Sequence, residues 1–314
     1  MLDSPNHMML IPAPPGTGKT WAGVEFAQWA YQRTGQRVFY AGPRHDFFAD
    51  VSKTALEQGQ PLNNWYEWLP RQANDDDPAK HTCNHTETIN LWMHKGFTGM
   101  DFCSQVCGWD YVNKGCRYHQ QKNRKEPLIY GQHAHVVLGH PLSVQFGVVI
   151  GDENPMSTFV NEWRIPSKHI AWSDLPADEP LTKILYEMQR LCDNGTKLHG
   201  PDLIRMLGAD VVIGACEKFS MPASAAVLTP HLHTDEDAEK APYNYLPTFI
   251  PMLLKEAMAA KAEVEYLHRI WLSEHGLTIL TRNHVNEQMP KHVIWFDATG
   301  RKGLYEALFE RDVE

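Results

Sequence analysis

The chain has 314 residues, of which 43% are hydrophobic and 21% charged, and its formal net charge is −9. That balance excludes a disordered chain, leaves room for two domains of ordinary size, and argues against a protein that coats nucleic acid by bulk phosphate neutralisation. No apolar run reaches the ~18–20 residues of a membrane span. The opening Met1-Leu2-Asp3-Ser4-Pro5 lacks the basic-then-apolar pattern of a secretory leader, so the expectation is a cytoplasmic protein with no membrane partner.

His7-Met8-Met9-Leu10-Ile11 is a short apolar run that ends at Pro12 and predicts a buried strand. A glycine-rich turn follows, then a helix from about Thr20 to Arg33 with Val24, Phe26 and Ala27 inward, a strand over 36–41, and a helix over 44–58. Strand, helix, strand, helix is the opening of a parallel α/β sheet. Asn74-Asp75-Asp76-Asp77-Pro78 reads as a surface loop, and a cysteine-rich stretch continues to about Pro127. The sheet is expected to resume at His135-Val136-Val137-Leu138 and at 146–150. Residues 155–275 read as mainly helical, most clearly at 182–192 and 249–272, with Thr234-Asp235-Glu236-Asp237 as a solvated turn. Strand character returns at 277–280 and 292–296.

Ala13-Pro14-Pro15-Gly16-Thr17-Gly18-Lys19-Thr20 fits G-x-x-x-x-G-K-S/T at every position but the first. In such a turn successive backbone N–H groups surround the β- and γ-phosphates, and the helix N-terminus adds partial positive charge. Gly16, Thr17, Gly18, Lys19 and Thr20 are therefore the predicted nucleotide-binding residues, with Lys19 on phosphate oxygens and the Thr20 hydroxyl on Mg²⁺. A second fragment, Phe146-Gly147-Val148-Val149-Ile150-Gly151-Asp152-Glu153-Asn154, is a buried strand ending in adjacent acids. In a parallel sheet its end would face the phosphates, so that Asp152 orients Mg²⁺ and Glu153 activates water. The cofactors predicted are ATP and Mg²⁺.

Four of the six cysteines run Cys83-x19-Cys103-x3-Cys107-x8-Cys116. In a reducing compartment such clustering points to metal rather than disulfides. Four thiolates suit either tetrahedral Zn²⁺ or an iron–sulfur cluster; His85, His94 and His119 stand near as further zinc ligands, and the uneven spacing leaves the metal open. Cys192 and Cys216 read as small buried apolar residues.

The order of parts resembles the first motor domain of the superfamily 2 iron–sulfur helicases of the XPD and DinG type. There the phosphate-loop motif is followed by an inserted cluster domain, a strand ending in Asp-Glu, a helical arch and a motif III. The resemblance implies a RecA-like P-loop NTPase fold, α/β, with the motor in segments 1–75, 128–155 and 276–314, a cysteine-rich insertion at 76–127 and a helical arch-like insertion at 156–275. It further implies that Cys83, Cys103, Cys107 and Cys116 hold a [4Fe–4S] cluster, with Zn²⁺ the alternative. Val293-Ile294-Trp295-Phe296-Asp297-Ala298-Thr299-Gly300 looks like motif III, giving Asp297 and Thr299 a coupling role. The implied substrate is single-stranded or forked DNA, traversed 5′→3′. Asp152 and Glu153 match the first two residues of the family's D-E-A-H box; Asn154 and Pro155 do not match the last two. The family's second RecA-like domain, with its arginine finger, would have to be supplied in cis or in trans, since losing such an arginine costs on the order of 10³-fold or more.

Two other readings stay open: a zinc-containing P-loop ATPase that remodels a protein or nucleic-acid complex, and a non-catalytic nucleotide-binding module. Lys114, Arg117, Lys122, Arg124 and Lys125 form a basic stretch whose plain reading is a solvated loop and which, by position, would line a path for single-stranded DNA. Trp65, Trp68, Trp92 and Trp109 read as packing for a small insert rather than as base-stacking platforms.

Overall fold

The computed structural model describes residues 8–44, 47–57, 59, 61–74, 76–108, 115–137, 146–171, 175–220, 234–241, 243–264, 268–285 and 289–314. His7, Asp75, Trp109, Lys114, Leu138 and His140 lie outside the described residues. Strands β1 (Met8–Ile11), β2 (Val38–Gly42), β3 (Trp65–Glu67), β4 (Leu128–Gln132), β5 (Val148–Asp152), β6 (Val160–Pro166), β7 (Leu198–His199), β8 (Ile270–Ser273), β9 (Gly276–Arg282) and β10 (His292–Phe296) fall in two sheets. Two compact units divide the chain: Met1–Asn84 with Asn113–Val160 and Arg282–Glu314, and His85–Val112 with Asn161–Thr281.

The first unit is α/β, built on a six-stranded parallel sheet of order β1-β10-β5-β2-β4-β3. Its central strands are apolar runs because both faces are covered. Along β5, Val148 and Ile150 enter one core with Val24, Ala27 and Ala30 of helix α1 (Lys19–Thr34), while Val149 enters the other with Phe39, Val293 and Trp295. The same alternation runs through Val38, Phe39 and Tyr40 and through Leu128, Ile129 and Tyr130. Each such side chain, fully buried, contributes roughly 1.5–3 kcal/mol. Helix α1 stops at Gly35, left-handed at φ 66°, whose N–H caps the Tyr31 carbonyl. Val313 pairs in parallel with Met8 beside β1.

The second unit carries a four-stranded sheet, β6-β9-β8-β7, and the α-helices Thr86–His94, Pro180–Asp193, Gly200–Leu207, Ala209–Lys218, Asp235–Lys240 and Leu246–Lys261. Leu185, Met188, Leu203, Phe249, Leu253, Ile270 and Ile279 are among the residues of its core. Inside that core lies Glu256, whose carboxylate accepts the Arg269 N–H at 2.7 Å through Oε1, while Oε2 has no hydrogen-bond partner and lies 3.9 Å from His268 Nδ1. Among the described residues no helix is long and apolar enough to cross a membrane.

Several elements differ from the expectation. The resumed strand is Leu128–Gln132, and His133–Val137 is a helix. Leu128, Ile129 and Tyr130 alternate into both cores, and Gly131 lets the Phe39 ring pass, since a Cβ there would lie 2.6 Å from Phe39 Cζ. The helix expected over 249–272 runs from Leu246 to Lys261, after which Ile270 and Leu272 alternate with Trp271 and Ser273 on β8. The turn expected at 234–237 is the capped start of a helix: Thr234 Oγ1 accepts the Asp237 N–H at 3.1 Å, and the Asp237 carboxylate accepts the Thr234 N–H at 3.2 Å. The strand expected at 277–280 forms, in the second sheet.

Candidate functional site

All the residues proposed for phosphate, Mg²⁺ and coupling lie in the first unit, at the C-terminal ends of β1, β5 and β10. The turn after β1 needs its glycines: Gly16 and Gly18 sit at φ 78° and 75°, a conformation that costs L-residues with a Cβ. Thr17 closes the turn by donating its hydroxyl to the Pro14 carbonyl at 2.7 Å. Gly18 is the N-cap of α1 and supplies no side-chain cap, so the N–H groups of the first turn face outward as an anion site would require. Lys19 and Thr20, both half-buried, are the first two residues of the helix.

β10 lies between β1 and β5 and sets the spacing between the glycine turn and Asp152. Asp152 is completely buried. Its Oδ2 accepts the Thr20 hydroxyl at 2.6 Å and the Tyr40 hydroxyl at 2.9 Å, while Oδ1 has no partner. An orphaned carboxylate oxygen beside a threonine hydroxyl is a set of hard oxygen donors suited to Mg²⁺, so the residues present fit that ion. Burial, reinforced by the neighbouring Asp152 carboxylate, pushes the Tyr40 phenol well above its ordinary range, which keeps it a neutral donor. The Tyr40 ring reaches this place because residue 23 of α1 is glycine; a Cβ there would lie 2.9 Å from Tyr40 Cε2.

Beneath Asp152, the His133 ring lies 2.7 Å through Nε2 from the Asp152 backbone carbonyl, and burial lowers its pKa to about 4, so it is neutral at physiological pH. The ring also meets the Ala41 backbone, so both its hydrogen bonds favour the protonated form while burial outweighs them. Glu153 is exposed and takes a left-handed backbone, φ 66°, a rare conformation for a residue other than glycine. Two bonds hold it there: its N–H donates to the Phe296 carbonyl at 2.8 Å, and the Trp295 indole N–H donates to its carbonyl at 2.6 Å. The indole crosses β5 over Gly151, where a Cβ would lie 2.2 Å from Trp295 Cδ2.

The Asp297-Ala298-Thr299-Gly300 turn is closed by its own side chains. Asp297 Oδ1 accepts from Thr299 N at 2.9 Å and Oγ1 at 3.0 Å, and Oδ2 accepts from the Tyr305 hydroxyl at 2.7 Å. Every oxygen of this buried carboxylate is therefore occupied, in contrast to Asp152. Asn154 Nδ2 approaches Thr299 Oγ1 at 3.5 Å, which joins the ends of β5 and β10.

The four clustered cysteines divide between the units. Cys83 and Cys116 lie on adjoining segments of the first, where the Tyr118 N–H donates to the Thr82 carbonyl at 3.1 Å; both thiols are buried. Cys103 and Cys107 lie four residues apart on a π-helix, Cys103–Gly108, in the second. Among the described residues of either unit, no three His, Cys, Asp or Glu side chains converge as a metal site. His119, which follows Cys116, is lowered to about 4 by burial and then by Arg71 and Lys122. Trp68 and Trp92 are buried, as the packing role requires.

Sequence reasoning named the glycine turn, Asp152, Glu153, Asp297 and Thr299, and the first unit gathers them at one end of its sheet. It missed Tyr40, His133, Trp295 and Tyr305. The only local signal was a polar-tipped side chain in or beside an otherwise apolar strand. No protein-family model matches the chain, and no curated protein is similar to it.

Proposed function

We propose that the chain binds a nucleoside triphosphate with Mg²⁺ and hydrolyses it, as the motor part of an iron–sulfur DNA helicase. The observation that supports this best is the 2.6 Å hydrogen bond from Thr20 to Asp152, which joins the glycine turn to the acid-ended strand 132 residues away. Lys19 and the first-turn N–H groups of α1 bind the β- and γ-phosphates and orient the terminal phosphorus. Thr20 and Asp152 hold Mg²⁺, which when bound neutralises phosphate charge. Glu153, held by Phe296 and Trp295, takes the proton of the attacking water, and the γ-phosphoryl leaves ADP as inorganic phosphate. Asp297 and Thr299 pass nucleotide state to the neighbouring strand end through Asn154.

By the resemblance, Cys83, Cys103, Cys107 and Cys116 would supply the four thiolates of a [4Fe–4S] cluster, or of Zn²⁺ in a remodelling ATPase, with a structural role. Single-stranded or forked DNA, a second RecA-like domain in cis or in trans, and a cytoplasmic location complete the proposal; these rest on the resemblance.

The test is ATP turnover with and without single-stranded DNA, alongside metal analysis of protein purified without oxygen. Glu153→Gln should retain Mg-ATP binding and lose turnover by about 10²–10⁴-fold; Lys19→Ala should lose the binding itself. Turnover unchanged in Glu153→Gln refutes the base assignment. One zinc per chain with no visible absorbance refutes the cluster.

A further inference from the structure

A second place on the first unit concentrates positive charge around a hollow. We propose that the cleft lined by Tyr66, Thr82, Arg117, Gln121, Asn123 and Arg124 binds a phosphate-bearing nucleotide unit. Its volume is about 450 Å³, within the range of small-ligand sites. None of these residues belongs to the site at the end of α1, so the cleft stands or falls apart from the hydrolysis reading.

The wall is pre-built. Gln121 is buried and uses its whole amide to hold it: Oε1 accepts the Tyr66 hydroxyl and the Leu69 N–H, both at 2.9 Å, and Nε2 donates to the Leu69 and Tyr118 carbonyls at 3.0 and 3.3 Å. Thr82 is fixed by donating to the Pro70 carbonyl. Arg124 lies over the Tyr66 ring, 4.5 Å from its centroid, which orders a long side chain that would otherwise sample many rotamers.

The charge is left for a ligand. Arg117 donates to the carbonyls of Pro78 and Ala79, which are neutral acceptors, so its positive charge is not cancelled there. Arg124 meets Glu126 at 3.4 Å with Arg124 exposed and Glu126 half-buried, a surface pair of modest strength. Among the described residues no carboxylate lines the cleft. Two guanidinium groups at a concave surface offer charged donors to phosphate oxygens, and the Asn123 amide offers the donor–acceptor pair that a base edge takes. A free nucleotide and one unit of a single-stranded nucleic acid share this chemistry.

The experiment is fluorescence anisotropy of a labelled single-stranded oligonucleotide over a range of salt, with adenosine monophosphate as competitor. It compares wild type, Arg124→Gln, Arg117→Gln/Arg124→Gln and Lys19→Ala. The double variant should lose tenfold or more in affinity, and its log–log salt slope should fall by about 1.4, roughly 0.7 for each lost phosphate contact on a single strand. Arg124→Gln, which leaves the bonds of Arg117 to Pro78 and Ala79 intact, should show about half that change in slope at an unaltered melting temperature. Lys19→Ala should bind the oligonucleotide like wild type even where ATP binding is lost. Competition by the monophosphate assigns the cleft to free nucleotides; its absence, with oligonucleotide bound, assigns it to a strand. Wild type binding neither ligand, or Arg124→Gln matching wild type in affinity and slope, overturns the proposal.

Discussion

In the first unit the buried titratable groups include two imidazoles, His133 against the strand end that carries Asp152 and His119 on the short helix after Cys116; in the second, Glu256 is buried on a helix. Both arrangements bury polar groups, and both leave a carboxylate oxygen without a hydrogen bond, Asp152 Oδ1 in one and Glu256 Oε2 in the other. The surroundings differ. Asp152 receives two hydroxyl donors at the open end of a sheet, whereas Glu256 receives backbone N–H groups within an apolar core, and a Cβ at Gly200 would lie 1.9 Å from its free oxygen. Burial at the sheet end leaves Asp152 Oδ1 without a hydrogen-bond partner beside two hydroxyls, while burial in the helix raises Glu256 to about 7 and makes its charged form the costly one. The comparison separates polar burial that serves a site from polar burial that ties a core together.

The largest effect should come from Gly151→Ala. The added methyl meets the Trp295 ring, which is itself locked against Tyr305 and Phe309, so the ring cannot step aside. The expected loss is about 3 kcal/mol, the upper end of overpacking, seen as an earlier urea midpoint for peptides of the first unit in hydrogen exchange. A variant as stable as wild type would mean that Trp295 does not cross β5 in this way.

Next in size is a pair of opposed pH slopes. Burial takes His119 and His133 from 6.5 to about 4, so between those values an unfolded chain binds protons that the folded one refuses. Their contribution is complete above about 6.5 and is lost as pH falls towards 4. Glu256 goes the other way, from 4.5 to about 7, and the folded carboxyl keeps a proton that the unfolded chain releases. Its contribution is complete below about 4.5 and is lost as pH rises through about 7, on the order of 3 kcal/mol at most. Arg269 and its N–H pull the carboxyl down against burial, His268 Nδ1 faces it at 3.9 Å, and His169, half-exposed and lowered by burial, opposes the slope weakly. Exchange rates corrected for intrinsic pH dependence should show the first unit weakening in acid and the second in mild base. Glu256→Gln should flatten only the second slope. A second unit with the same slope in wild type and Glu256→Gln would remove Glu256 from the account.

The smallest effect is the most specific. Tyr40→Phe keeps the ring under α1 and removes one donor to Asp152, which should cost about 1 kcal/mol in stability. The Mg²⁺ concentration for half-maximal nucleotide binding should rise several-fold, while nucleotide affinity at saturating Mg²⁺ stays the same. An unchanged Mg²⁺ requirement would make the Tyr40 hydroxyl a packing feature only.

The glycine turn was legible because its chemistry is local: the left-handed positions, the lysine and the threonine occupy consecutive residues. Asp152 and Glu153 were legible because a fully apolar strand ending in two acids has few structural excuses. Tyr40, His133 and Trp295 were not, since their partners lie 112, 19 and 142 residues away and their own segments read as ordinary strands and turns. The strand at 128–132 was lost to the neighbouring run at 135–138, whose residues have equal β character. What distinguished them was whether their alternate side chains found two covered faces. The strand at 277–280 was visible as a strand, but pairing partners decide which sheet a strand joins, and those are not local.

Glu153 carries one further implication. Its left-handed backbone would be more comfortable with glycine or asparagine, by about 1 kcal/mol or more. A search that rewarded thermal endurance alone would drift away from glutamate at this position and erase the exposed acid that follows Asp152 at the end of β5. A collection of heat-selected variants therefore records, at residue 153, whether selection was also reading chemistry.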